Sequence, residues 1–156
     1  MTINVLLVDD NPGDVRLMRE VLTETNKTVK LHAVSDGVEA MNFLRYQGCY
    51  LGAVRPDLII LDLNMPNMNG LEVLGQVKQD PWLQTIPIVV LAASRREADI
   101  TESYRLMANC YLSKPDELKE FERLVKTLND FWLTGVLYHK HERQAPPVPP
   151  RSSSPQ

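Results

Sequence analysis

The stretch "DLIILDLNMPNMNG" (residues 57–70) opens with an apolar run that does not alternate with polar residues. A strand with one wet face alternates, whereas a strand buried on both faces reads as a continuous apolar run. "IPIVVLA" (86–92) has the same character. Two such runs belong in the middle of a parallel sheet covered on both sides. The first run stops at Asp62, and a loop rich in turn-forming residues follows it.

Three further β-branched, apolar runs flank these two: "INVLLV" (3–8), "VKLHAV" (29–34) and "ANCYL" (108–112). Helical periodicity fills the gaps. Val15, Met18, Val21 and Leu22 share one face, as do Val38, Met41 and Leu44, and Leu71, Leu74 and Val77. Leu118, Phe121, Leu124, Val125 and Leu128 form the most extended stripe, and residues 97–107 the weakest. Strand and helix therefore alternate five times, which predicts a doubly wound α/β fold with helices on both faces. Functional groups in such sheets collect at the carboxyl ends of the strands.

Those ends carry charge. The first strand runs into "DDNPGD", with Asp9 and Asp10 adjacent, the third ends at Asp62, and the fifth at Lys114 and Pro115. A parallel sheet brings all of them to one edge. Clustered carboxylates repel unless a proton or cation shares them, and a hard divalent ion such as Mg²⁺, which favours oxygen ligands and phosphate, meets that need. A carboxylate so placed can act as a nucleophile toward phosphorus. Asp62 is the candidate nucleophile, with Lys114 and the ion neutralising the phosphoryl oxygens. Taken singly, each residue reads as a cap or an ion-pair partner. Taken together, they read as a site.

The segments "LLVDDNPGD", "DLIILDLNMPNMNG" and "YLSKP" resemble the receiver domains of two-component response regulators over residues 3 to about 132. The resemblance implies a flavodoxin-like (CheY-like) five-stranded sheet of order 2-1-3-4-5. It implies Asp62 as phosphoacceptor and Asp9, Asp10, Asp62 and the backbone carbonyl of Asn64 as ligands of Mg²⁺. Lys114 becomes the phosphoryl contact, Pro115 follows a cis peptide bond, and Tyr111 is the aromatic switch residue. The long link "RYQGCYLGAVRPD" (45–57) and the start "DDNPGDVRLMREVL" are similar to small stand-alone regulators that partner bacterial phytochrome kinases. One position departs from the pattern. Receivers carry Thr or Ser at the end of the fourth strand, and here Ala92 stands there, with Ser94 two residues beyond.

The 156 residues, 44 % of them hydrophobic, suit one domain with a tail. The expected division is a receiver over 1–133, an apolar extension over 134–140 and a Pro/Ser-rich, disordered tail over 141–156. Phe131, Trp132, Val136, Leu137 and Tyr138 are many apolar groups for a terminal segment, and either fold back or form a homodimer interface. The formal net charge of −3 offers no basic footprint for nucleic acid. No run approaches the roughly 20 apolar residues of a membrane span, and no secretory signal precedes the first strand. Cys49 and Cys110 fit no metal spacing and read as reduced thiols of a cytoplasmic protein. His32 reads as a strand residue, Trp82 as a loop packing residue, and neither His139 nor His141 as a ligand. "PPVPPR" (146–151) has the spacing of a polyproline ligand but reads more simply as solvated tail.

The expected function is a phosphoacceptor, not an enzyme in the ordinary sense. A sensor histidine kinase, which the finer resemblance implies is a phytochrome, donates the phosphoryl group, and output runs through protein contact at the face of the fourth helix, fifth strand and fifth helix. Two rivals remain. A small Asp-nucleophile phosphatase usually has a general-acid Asp two residues after the nucleophile, where this chain has Asn64. A degenerate receiver would act only as a binding module, and Ala92 is its supporting feature.

Overall fold

The computed structural model describes residues 2–24, 28–65, 67–135 and 138. Strands β1 (Ile3–Val8), β2 (Val29–Val34), β3 (Leu58–Leu61), β4 (Ile88–Ala92) and β5 (Cys110–Ser113) alternate with helices α1 (Pro12–Glu24), α2 (Gly37–Leu44), α3 (Gly70–Gln79), α4 (Glu97–Arg105) and α5 (Leu118–Leu128). The strands form one sheet in the order β2-β1-β3-β4-β5, and every adjacent pair is parallel. This is the flavodoxin-like order expected from the sequence.

The pleat divides the core in two. Leu6, Val8, Ile59, Leu61, Val90 and Ala92 face α2 and α3, where Met41, Leu44, Val73, Leu74 and Val77 meet them. Val5, Leu7, Leu58, Ile60, Val89 and Leu91 face α1 and α5, meeting Met18, Leu22, Phe121, Val125 and Leu128. All four residues of β3 and all five of β4 are buried, as their continuous apolar runs require. The first turn of α1 is closed by Asn11, whose Oδ1 accepts the amides of Gly13 (2.9 Å) and Asp14 (3.1 Å). Asp36 accepts from Glu39 N at 2.7 Å and Asn69 from Glu72 N at 3.0 Å, starting α2 and α3 in the same way.

Two stripe residues do not pack as expected. Val38 is 44 % exposed and Leu118 70 % exposed. Each lies in the first turn of its helix. The buried stripe begins one turn later, at Met41 and Phe121. The expected cis bond before Pro115 is also absent, since no described peptide bond is cis. The trans form is the lower in energy for X–Pro bonds, and the Lys114 amide continues the ladder, donating to Ala92 O at 2.7 Å.

The terminal segment turns back on its own domain. After α5 a π-helical turn (Asn129–Leu133) carries Leu133 into the core, and Trp132 and Tyr138 pack beside it. The Tyr138 hydroxyl donates to the carbonyl of Trp132. Phe131 instead points outward, 59 % exposed. Val136, Leu137, His139, His141 and the polyproline-like stretch lie outside the described residues. Trp82 packs against the core, and the Arg55 guanidinium sits 5.3 Å from its ring centroid. Arg55 also donates to Trp82 O (3.1 Å) and Thr85 Oγ1 (3.0 Å), pinning the end of the long 45–57 link.

Gly70 ties the fold to the sheet edge. A Cβ on it would lie 2.3 Å from Asp62 O and 2.6 Å from Leu63 Cα. Backbone cannot yield at that distance as a flexible side chain would. Gly70→Ala is expected to cost about 1–3 kcal/mol in a urea unfolding experiment. An unchanged midpoint would show that α3 and the Asp62 loop separate freely.

Candidate functional site

Three sheet bonds run one residue past the strands and place the site. Asp9 N donates to Val34 O (3.1 Å), Asp62 N to Val8 O (2.9 Å) and Lys114 N to Ala92 O (2.7 Å). The backbone positions of two carboxylates and the ammonium are thus set by the ladder. Asp9 and Asp62 are 3 % and 8 % exposed, and Asp10 faces solvent.

Lys114 Nζ lies 2.9 Å from Asp9 Oδ2, 2.8 Å from Asp14 Oδ2 and 3.4 Å from Asp62 Oδ2. The remaining oxygens of two of these carboxylates are held by main chain. Asn11 N donates to Asp9 Oδ1 at 2.9 Å and Asn64 N to Asp62 Oδ1 at 3.1 Å. Burial pushes the Asp62 carboxyl above its ordinary value, against the opposing pull of Lys114 and the Asn64 amide, with Asp9 adding to the rise. Burial alone would lower the Lys114 ammonium. The hydrogen bonds to Asp14 and Asp9 and the charge of Asp62 overcome it, so its proton is held well above the usual lysine range.

Asp14 was not legible as a site residue. It lies in the first turn of α1, and only the docking of that turn against the edge brings its carboxylate to Lys114. The third aspartate of "DDNPGD", in the first turn of the helix that follows the Asp9–Asp10 pair, is the signal that was available.

The fourth strand ends at Ala92, and Ser94 lies beyond it in the loop that leads to α4. Ala92 is fully buried. Ser94 Oγ donates to Asp99 Oδ2 (2.5 Å) and accepts the amide of Arg96 (3.1 Å), so it ties the loop to the first turn of α4. The Tyr111 hydroxyl donates to Ser94 O at 2.7 Å, and the Tyr111 amide donates to the Tyr104 hydroxyl at 3.1 Å.

The donor set fits a hard divalent cation. Ligand oxygens of Asp9, Asp10 and Asp62 all lie within 4.8 Å of one another, a cluster of carboxylates suited to Mg²⁺ or Mn²⁺ and not to a soft ion.

Residues 5–126 match the model of the response regulator receiver domain. The chain belongs to that family. It is 46 % identical over 132 residues to the response regulator Rcp1 of Synechocystis sp., an alignment covering 85 % of this chain and 90 % of that protein. The Mn²⁺-bound crystal structure of Rcp1 superposes with a TM-score of 0.86 at 43 % identity, covering 88 % of this chain and 99 % of the other. The phosphorylated cyanobacterial phytochrome response regulator RcpA gives a TM-score of 0.87 at 43 % identity, covering 90 % and 100 %. As a receiver, the chain is a phosphorylation-dependent signalling module with an acidic pocket for a divalent metal, partnered by a histidine kinase, and not an enzyme of the usual kind. Among the described residues, no helix is long and apolar enough to cross a membrane.

Two measurements test the electrostatics. Lys114→Ala leaves Asp9, Asp14 and Asp62 facing one another, and breaking such a pair costs about 3–5 kcal/mol. The loss should be partly reversed by millimolar Mg²⁺, by more than Mg²⁺ stabilises the wild type, in thermal unfolding. Equal metal responses would count against the ion pairs.

Asp62→Asn, in chelator-treated protein, should raise stability at pH 7. The folded Asp62 carboxyl holds its proton more tightly than the unfolded one, so its ionisation costs stability at high pH. That cost, and hence the gain in the variant, should vanish as the pH falls below the ordinary carboxyl value of 3.8. A gain that grows on acidification would reverse the assignment.

Proposed function

We propose that Asp62 accepts a phosphoryl group from the phosphohistidine of a sensor histidine kinase, and that this kinase is a phytochrome. The observation carrying the reading is the placement of Asp62 itself. One oxygen is held by Asn64 N, and the other lies beside Lys114 Nζ. An oxygen of Asp62 attacks phosphorus as the P–N bond breaks. The electron pair returns to the imidazole nitrogen, which takes up a proton. Lys114 stays protonated and faces the phosphoryl oxygens, while Asp9 and Asp14 fix its Nζ. Asp9, Asp10, Asp62 and the carbonyl of Asn64 would hold Mg²⁺, which when bound neutralises phosphoryl charge. Mg²⁺ is favoured because it binds through a few carboxylates together with phosphate and retains waters. The phytochrome assignment draws support from RcpA, a cyanobacterial phytochrome response regulator that is 43 % identical to this chain.

We read residues 1–133 as the receiver, 134–140 as its apolar extension and 141–156 as a tail, the whole acting in the cytoplasm. Output runs through the face of α4, β5 and α5. Exposed apolar side chains there support a homodimer: Tyr104, Met107, Leu118 and Phe131 all lie on or next to these helices. Of the five residues expected at the interface, Phe131 suits that role. Trp132 and Tyr138 pack on their own domain.

The test is phosphotransfer from a purified phytochrome kinase, followed on a phosphate-affinity gel. Wild type should shift in Mg²⁺, Asp10→Ala should shift slowly, and Asp62→Asn should not shift. An unlabelled wild type would favour the degenerate, binding-only reading. Sedimentation equilibrium should show a dimer at micromolar concentration that Phe131→Glu weakens at least tenfold, and a wild type that stays monomeric at hundreds of micromolar would remove the dimer.

A further inference from the structure

The strand that normally supplies a hydroxyl ends here in Ala92, and Ser94 cannot replace it because its hydroxyl is engaged by Asp99 and the Arg96 amide. The charge inventory at the edge makes that gap consequential. Four carboxylates, Asp9, Asp10, Asp14 and Asp62, converge there with a single ammonium. The loops on that edge are 9–11, 35–36, 62–69, 93–96 and 114–117, and their cationic residues are Lys114, Arg95 and Arg96. Of the two arginines, Arg95 has its guanidinium anchored at the edge, on Ser113 of β5, whereas Arg96 is the residue preceding α4.

The position of Arg95 is defined. Its Nε donates to Ser113 Oγ at 2.9 Å. Ser113 is the residue before Lys114 and pairs directly with Ala92 across β4 and β5. No other hydrogen bond or ion pair engages its two Nη amines among the described residues. The backbone beneath it is fixed, because Tyr111 holds Ser94 O and Asp99 holds Ser94 Oγ. Across the edge, β4 lies between β5, where Ser113 pairs with Ala92, and β3, which ends at Leu61 opposite Val90 and runs on into Asp62. Neighbouring strands are about 4.8 Å apart. Turning the guanidinium from Ser113 across the end of β4 therefore moves it about one strand spacing toward a phosphoryl group on Asp62.

Resting on the reading of Asp62 as the acceptor, we infer that Arg95 is the phosphoryl-contacting group of the β4–α4 loop. Parked on Ser113, it moves across the end of β4 to donate Nη hydrogens to phosphoryl oxygens that the missing hydroxyl would have bound. A guanidinium suits this task, since its charge-assisted, two-pronged donors match phosphate oxygens. Ala92 and Arg95 thereby form one functional exchange: a neutral hydroxyl on the strand is replaced by a cation on the loop.

Beryllofluoride in Mg²⁺ serves as the phosphoryl probe, with affinity read by intrinsic fluorescence or calorimetry. Arg95→Ala should bind it about tenfold more weakly, roughly 1.4 kcal/mol, and Arg95→Lys should fall between. The apo melting temperature of Arg95→Ala should move by less than about 2 °C, because the side chain is exposed. Adding Ala92→Thr to Arg95→Ala should restore affinity to within about threefold of wild type. Wild-type affinity in Arg95→Ala would overturn the inference. A loss that Ala92→Thr fails to restore would also overturn it, because Arg95 would then not stand in for the hydroxyl. Failure of the acceptor reading looks different: wild type itself would bind no beryllofluoride, whatever residue stood at position 95.

Discussion

The bond set of one ammonium organises this molecule's functional edge. Lys114 contacts Asp9 and Asp14 at 2.9 and 2.8 Å and Asp62 at 3.4 Å. These residues come from the end of β1, the first turn of α1, the end of β3 and the end of β5. Without the lysine, three carboxylates would face each other where two of them, Asp9 and Asp62, have little water to screen them. Buried charge is tolerated only when paired and hydrogen-bonded. The repulsion that makes the edge costly in isolation makes it receptive to a cation.

That arrangement depends on a parallel sheet. Each strand delivers its final residue to the same side, and the ladder bonds of Asp9, Asp62 and Lys114 extend it one residue past the regular strands. Main chain, not side-chain packing, sets where the charges start. Close approach then fixes the loop behind Asp62. Gly70 N donates to Leu63 O at 2.9 Å, and the absence of a Cβ lets α3 begin against the Asp62 carbonyl. The backbone of Asp62 is therefore held from below by β1 and from behind by α3.

Much of this was legible because it is periodic or terminal. Continuous apolar runs gave the central strands, and charged residues at strand ends gave Asp9, Asp10, Asp62 and Lys114. What was not legible depends on how elements dock. Asp14 reads as an ordinary acidic residue of a first helical turn until that turn is docked at the sheet edge, within reach of Lys114. Val38 and Leu118 satisfy helical periodicity yet lie one turn before the buried stripe begins, a boundary that periodicity does not mark. Trp132 and Tyr138 were equally apolar in a self-packing or a partner-covering segment, and only the π-helical turn after α5 selects the first for them. The engagement of Ser94 by Asp99 is a loop geometry that no spacing rule specifies.

The same loop links the edge to the exposed face of α4. Ser94 is grasped from two sides: Tyr111 of β5 takes its carbonyl, and Asp99 of α4 takes its hydroxyl. Tyr104, also of α4, receives the Tyr111 amide. Any displacement of residue 95 pulls on a backbone whose next anchor is the start of α4 and whose other anchor is the β5 aromatic. Ala92 is fully buried and its side chain carries no polar atom, so on the reading of Arg95 proposed above the pull begins on the loop. The consequence is geometric. The lever sits three residues nearer α4, and the sheet need not deform for α4 to respond.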